Sequence, residues 1–311
     1  MMITIILVVV SVVILLCLLF LLSYKAFKML HIRNLANNSL LIETSKGEIE
    51  YTLRGEQGPI LLNLHGSPGG YDQTMEPGKN YRILTPSRPG YLRTALSNGL
   101  SPEEQADCFK ALLDALEINK VFVMGVSGGG PSSMQFAARF PQNVYGLILF
   151  EAVSYSQDFT KEDEELINAS DFVLWLLLFS ISFLGKQKLA SVMLPNKNNR
   201  ERLLSSQENV ISLKRVIWSI WPMSMRKSGI ENDFNQFTEL HVPYEKISAP
   251  TLIIHGDEDK NVDMDHAKFA NSKISRSVMY TVKEGDHMMS ATHAKEIEEQ
   301  IETFVSNNIS A

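Results

Sequence analysis

Gly125-Val126-Ser127-Gly128-Gly129 closes a run of strand-forming residues, Val121-Phe122-Val123-Met124, and opens a stretch in which Met134, Phe136, Ala137 and Phe140 are the apolar positions of a helix. A G-x-S-x-G pattern between strand and helix is the turn that exposes a nucleophilic serine at a sheet edge. The serine must sit in a sharp, strained turn, so neighbouring side chains have to be absent and positive φ has to be cheap. The helix expected over 131–140 aims its positive N-terminal end at whatever negative charge develops on that side.

Outward from this turn, strands and helices alternate. Strands are predicted at 40–43, 48–54, 60–64, 82–86, 121–124, 147–152, 251–255 and 278–282, the first two as an antiparallel pair around Lys46-Gly47. The pattern predicts an α/β fold, an eight-stranded mostly parallel sheet with helices on both faces. Ser101-Pro102-Glu103-Glu104 is a capping box that starts a helix running to about Leu116, with Ala106, Phe109, Leu112, Leu113 and Leu116 as its core stripe. Cys108 belongs to that stripe, and nothing near it in sequence would depress a thiol pKa. With only one other cysteine, Cys17 in an apolar run, no disulfide framework is available. A net charge of -6 without a basic cluster argues against nucleic acid as a partner.

Residues 3–22 contain no charge, and about twenty such residues are what a helix needs to cross a bilayer. A cleaved signal peptide would want a basic start and a shorter core, and Leu16 before Cys17 disfavours lipidation. Residues 1–24 are therefore expected to be a membrane anchor and 25–39 a juxtamembrane linker. Lys25, Lys28 and Arg33 follow the span, which places a single-pass catalytic body on the cytoplasmic side. The remainder divides into a first core part (40–153), a helical cap (154–246) and a second core part (247–311), because almost a hundred residues without strand alternation are too long for a loop. The cap holds Trp175, Trp218, Trp221 and a thirteen-residue apolar block, 172–184. At about 20 Å as a helix the block is too short to span a membrane; packing over the sheet edge and lining an apolar pocket is its expected job, with partial insertion into the membrane surface as the lesser reading.

His65-Gly66-Ser67-Pro68-Gly69-Gly70, Ser87-Arg88-Pro89-Gly90-Tyr91, the Gly125 to Pro131 turn, His255-Gly256-Asp257-Glu258-Asp259 and Gly285-Asp286-His287 together resemble the ordered landmarks of the α/β-hydrolase superfamily. The resemblance covers residues 40–305. It implies Ser127 as nucleophile, Asp259 as acid and His287 as base, in the family's chain order, and the main-chain amides of Ser67 and Gly128 as oxyanion donors. The physical requirement is the same: a serine hydroxyl needs a base within reach, and the base needs an acid to fix its tautomer. Asp259 is favoured by motif position, with Asp257 and Glu151 as the other carboxylates. His65 and His255, each before a glycine at a strand end, are expected to hold loop backbone; His31, His241, His266 and His293 default to solvent or cap positions. Departures from the pattern are Ser87 for a frequent Asp, Leu92 for a usual glycine and Asp286 for another.

The resemblance implies acyl transfer without metal or organic cofactor, on a small-molecule ester carrying an apolar group. An aminopeptidase similar to proline iminopeptidases is the second reading; it would need cap carboxylates for the substrate ammonium, from 162–165 or from Glu231 with Asp233. A non-catalytic binding protein on a hydrolase scaffold is the third.

Overall fold

The computed structural model describes residues 1–74 and 80–309, with the backbone alone at 162, 163 and 166. The chain divides into two units, Met1–Leu40 and Leu41–Ala311.

The first unit is one helix, α1 (Met2–Asn37), of 36 residues. At about 1.5 Å per residue it is longer than the roughly 30 Å hydrocarbon layer. The stretch expected as a linker from residue 25 continues the same helix, since nothing between Ser23 and Asn37 is glycine or proline to stop it. Its end is closed by the Asn38 amide, which donates to the Asn34 and Leu35 carbonyls. Among the described residues it is the one helix long and apolar enough to cross a bilayer.

The second unit is built on an eight-stranded sheet of β1 (Leu40–Thr44), β2 (Gly47–Arg54), β3 (Ile60–Leu64), β4 (Arg82–Pro86), β5 (Val121–Val126), β6 (Val144–Phe150), β7 (Thr251–Gly256) and β8 (Ser277–Val282), in the order β1-β2-β4-β3-β5-β6-β7-β8. β2 runs antiparallel to β4, and the strands from β4 to β8 are parallel. Their register aligns the ends that matter: Leu64 lies opposite Gly125, Val126 opposite Phe150, Phe150 opposite Ile254 and Gly256 opposite Val282. The loops after β3, β5, β6, β7 and β8 therefore open on one edge of the sheet, where parallel α/β sheets put their ligands. β6 begins three residues before its predicted start and stops at Phe150 rather than 152, because Glu151 turns into the left-handed region at φ +48°.

α2 (Pro102–Ala115) starts at the capping box, with Ser101 Oγ accepting from the Glu104 amide. With α3 (Gly130–Arg139) it covers one sheet face, where Phe109, Leu112, Met134 and Phe136 pack with Leu62, Leu64 and Val123. Fully burying each such side chain contributes about 1.5–3 kcal/mol. Between β6 and β7 lie α4 (Lys161–Asn168), α5 (Asp171–Phe183), α6 (Lys186–Met193), α7 (Lys197–Ser205), α8 (Gln207–Trp218) and α9 (Lys227–Phe237). After β7 come α10 (Met264–Lys273), the single turn α11 (Met289–Thr292) and α12 (Ala294–Asn308), whose Ile297, Ile301 and Val305 fill the opposite face against Phe122, Met124 and Ile148.

The helical insertion is tied to the sheet edge by two buried ion pairs. Asp233 on α9 accepts from Arg88 Nη1 at 2.9 Å and Nη2 at 2.5 Å, and from the Tyr91 hydroxyl at 2.5 Å. Arg226, at the start of α9, donates to Asp72 at 3.0 and 2.7 Å and to the Gly69 carbonyl at 2.6 Å. Arg88 and Arg226 are both buried, so each depends on its carboxylate partner; all three Arg88 nitrogens are bonded, whereas Arg226 Nε has no hydrogen-bond partner among the described residues.

Candidate active site

Ser127 stands where β5 ends, and its own backbone takes the strained conformation at φ +47°. The neighbouring glycines were expected to supply positive φ; instead they supply room. A Cβ at Gly125 would stand 2.1 Å from Ser133 Oγ, and one at Gly129 would stand 2.1 Å from the Leu64 carbonyl oxygen. Without side chains there, α3 packs directly on β5 and β3 and aims its N-terminus at the turn. The Ser127 carbonyl accepts from the Val153 amide at 3.0 Å, locking the turn to the end of β6.

Ser67 and Gly128 come together beside Ser127: a Cβ at Gly128 would lie 3.0 Å from Ser67 Cβ and 3.4 Å from its amide nitrogen. The Ser67 turn is held from several sides. Gln73 accepts from the Gly66 amide at 2.9 Å and donates to the Pro68 carbonyl at 3.2 Å. Ser67 Oγ lies 2.7 Å from the Tyr91 hydroxyl. His65 works on the same loop, its Nε2 accepting from the Arg88 amide at 2.9 Å and its Nδ1 donating to the Gly66 carbonyl at 2.8 Å. Burial, with Arg88 nearby, keeps that ring well below the ordinary histidine pKa. His255 likewise bonds backbone, with Nε2 2.8 Å from the Val262 carbonyl oxygen.

Asp259 and His287 meet after β7 and β8. His287 Nδ1 is 2.7 Å from Asp259 Oδ2, while Oδ1 accepts from the amides of Asn261 (2.9 Å) and Val262 (3.0 Å). Burial works to raise this carboxyl, but the bond and charge of His287 and the Val262 amide outweigh it and hold it below its usual value. Asp257 is exposed and accepts from the Glu284 amide at 2.6 Å, so it points away from the imidazole. Glu151, the third candidate acid, lies buried with Oε2 4.0 Å from His287 Nδ1, and its Oε1 has no hydrogen-bond partner among the described residues.

Burial pushes Glu151 up to about 8. For His287 burial opposes the proton, yet the charge of Glu151, the bond to Asp259 and its charge prevail and lift the ring to about 9. A proton on Glu151 removes the charge that draws one to His287, so the two titrate as a pair. The direction common to both is retention of protons in this cluster. Glu151, Asp259 and His287 present donor atoms within 4.8 Å of one another, but both oxygens of Asp259 are already engaged by N–H groups, which leaves a poor cation site.

Ser127, Ser67, Gly128, Glu151 and His287 all line one cavity of about 1200 Å³, roofed by Leu174, Leu177, Leu178 and Ile181 of α5 with Val216 and Ile217 of α8. The acidic positions considered for an ammonium are engaged or lie elsewhere. Asp233 belongs to Arg88 and Tyr91, Glu231 is exposed 3.6 Å from Lys227, Glu164 and Glu165 are exposed, and the side chains of Glu162 and Asp163 lie outside the described residues.

The three departures from pattern find local roles. Ser87 Oγ donates to Glu50 at 2.9 Å, Leu92 adopts φ +51° where a glycine would be at ease, and Asp286 accepts from the Met288 amide at 2.9 Å just after the histidine. His266 and His293, expected in solvent or cap positions, are buried. His266 Nδ1 accepts from the Ser154 amide at 3.0 Å, and His293 Nε2 lies 2.6 Å from Arg202. Asn199 of α7 was not anticipated; it donates to the Glu284 carbonyl at 2.7 Å and to Asp286 at 3.2 Å, bracing the loop that carries His287. One of two adjacent Asn residues in a polar helix gives no sequence signal for such a task.

A family model described as the alpha/beta hydrolase fold matches residues 59–294. An uncharacterized hydrolase, YcgS, from Bacillus subtilis is 28% identical over 262 residues, covering 78% of this chain and 89% of the relative. A 2-hydroxy-6-oxononadienedioate/2-hydroxy-6-oxononatrienedioate hydrolase from Cupriavidus pinatubonensis is 24% identical over 291 residues, covering 88% of this chain and 96% of the relative. Among solved structures, an alpha/beta hydrolase fold protein from Nakamurella multipartita superposes with a TM-score of 0.77 at 28% identity, covering 86% of this chain and 98% of that one.

Proposed function

The chain belongs to the alpha/beta hydrolase family, and from that premise we propose that it is a serine hydrolase that cleaves carboxylic esters bearing an apolar acyl or alcohol group. One observation carries the reading: His287, held by Asp259 at 2.7 Å, lines the same aliphatic-roofed cavity as Ser127. Asp259 fixes the ring tautomer, leaving Nε2 to accept the Ser127 proton. The serine oxygen bonds to the carbonyl carbon, and the resulting oxyanion accepts from the Ser67 and Gly128 amides, donors of a kind that contribute roughly 3–4 kcal/mol each. The C–O bond then breaks as His287 returns the proton to the alcohol. Water, deprotonated by the same ring, releases the acid and restores Ser127.

The aminopeptidase reading draws less support, because Asp233 is neutralised by Arg88 and Glu231 lies on the exposed side of α9. The dioate named for the Cupriavidus relative carries two carboxylates; Arg215, Lys260 and Lys295 line the cavity beside its aliphatic roof, so that substrate class belongs in the test. The deciding experiment compares a chain-length series of p-nitrophenyl esters, proline β-naphthylamide and a 2-hydroxy-6-oxo-dienoate on the purified chain. Esters turned over fastest, with a pre-steady-state burst, are expected; absence of any ester cleavage overturns the reading.

The same reading takes α1 as a single-pass anchor with the catalytic unit in the cytoplasm, on the strength of its uncharged residues 3–22 and the Lys25, Lys28 and Arg33 that follow. Protease added to intact cells is expected to spare a C-terminal tag; its removal would reverse the orientation.

A further inference from the structure

Leu177, Val192 and Ile211 line the catalytic cavity and are also 54%, 50% and 49% exposed. A residue that faces both the cavity and solvent marks its mouth, so on the side of α5, α6 and α8 that mouth presents aliphatic carbon from these three, beside the exposed Glu208 and Arg215 of α8. Alongside it, Phe172, Trp175, Phe179 and Phe183 form an aromatic ladder down α5, with successive ring centroids 6.1, 5.3 and 6.4 Å apart. The ladder leaves the protein at its end: Phe183 is 81% exposed and Leu184 is 60% exposed. Large apolar groups clustered on a surface mark a place where something else covers them.

Charge decides what the cover is. No charged residue occurs between Phe172 and Leu184, and Asp171 just before them is buried, accepting from the Ser224 amide and hydroxyl. Directly after them Lys186 and Lys188 are exposed. An aromatic and aliphatic face followed at once by lysines matches the boundary between acyl chains and anionic headgroups. With 13 residues α5 is roughly 20 Å long, too short to cross about 30 Å of hydrocarbon and suited to lying in the interface. The chain also carries α1, of bilayer length, and a catalytic unit tethered to a membrane meets that surface at a high effective concentration.

We propose that the exposed face of α5 and α6 seats on an anionic lipid bilayer and that the cavity takes its substrate, an ester with a long acyl chain, from the lipid through the Leu177, Val192 and Ile211 rim. The seating stands on the surface itself; the substrate rests on the ester reading above.

The test uses the full chain reconstituted in phosphatidylcholine and phosphatidylglycerol vesicles. Emission added by Phe183→Trp, over that of the native tryptophans, is expected to fall at least twofold when the acyl chains carry bromine. Phe179→Ser with Phe183→Ser is expected to lower hydrolysis of vesicle-borne p-nitrophenyl palmitate about tenfold and to leave p-nitrophenyl acetate hydrolysis unchanged. An added tryptophan that bromolipid does not quench overturns the proposal, whether water or a second copy of the chain covers it, the latter read as a doubled mass. Equal loss on both esters overturns it as well, since the substitutions would then act on the catalytic centre. Quenching without cleavage of either ester by the unaltered chain sustains the seating and overturns the substrate half together with the ester reading.

Discussion

The sheet edge and the helical insertion above it solve the same problem, placing groups around one cavity, by opposite means. At the edge, Ser127, Asp259 and His287 sit within a few residues of strand ends whose register is fixed by main-chain bonds, and Asp259 is gripped by two backbone amides. In the insertion, position depends on side chains reaching across 145 and 154 residues of sequence, Arg88 to Asp233 and Arg226 to Asp72. On the proposed reading, chemistry is attached to the part of the molecule that backbone geometry determines, and pocket shape to the part that side-chain pairing determines. Substitutions at the edge should therefore change rate, and substitutions in the insertion should change stability and substrate choice.

The largest expected effect comes from Ser127→Ala, which should lower ester hydrolysis by ~10⁴- to 10⁶-fold with little change in thermal unfolding. A residual rate within tenfold of the parent would break the division at its strongest point. Asp259→Asn should cost about 10³- to 10⁴-fold in kcat, since an amide in place of the carboxylate favours the wrong imidazole tautomer. If Glu151, 4.0 Å away, can take over, Asp259→Asn will retain far more rate than the double change Asp259→Asn with Glu151→Gln.

In the insertion, Asp233→Asn leaves the Arg88 charge buried and only partly satisfied, a change that costs about 3–5 kcal/mol when a buried pair is broken. For a unit of this size that corresponds to roughly 10 °C in the calorimetric midpoint. A midpoint unmoved within about 2 °C would mean the pair does not hold α9 to the Ser67 turn.

His287 must be neutral to accept the serine proton, and its ring is lifted to about 9, so kcat/KM should rise as pH increases through that value. Glu151→Gln removes a charge that raises the ring and should move this limb to lower pH. A limb that stays in place would show that Glu151 carries no charge while His287 titrates. The smallest expected change belongs to Glu231→Gln. Because Glu231 is exposed and only 3.6 Å from Lys227 in an i,i+4 pair, activity on esters and the unfolding midpoint should both stay within error, whereas an aminopeptidase using it would lose substrate affinity.

How much was legible follows the same line. Six of the eight strands both begin and end within one residue of the boundaries predicted from alternation and turn residues, and the capping box at Ser101 forms as its spacing requires. Motif position favours Asp259 over Asp257, and the two carboxylates differ in partner: Asp257 accepts from the Glu284 amide while Asp259 lies 2.7 Å from the His287 ring nitrogen. Missed were the continuation of α1 through residues 25–37, where the change from apolar to charged residues suggested a linker although no helix breaker was present, and the burial of His266 and His293. A histidine whose partners are a distant amide or arginine leaves no periodic trace.

The α/β alternation, the serine turn and the order of the hydrolase landmarks are written in the chain, because hydrophobic period, capping and tight turns act over a few residues. Folding in three dimensions is what pairs Asp233 with Arg88, sets Asn199 against the His287 loop, brings Glu151 beside the imidazole and leaves one face of α5 bare. Those outcomes depend on which distant side chains come within hydrogen-bond reach once the core has packed, and no local pattern encodes that distance.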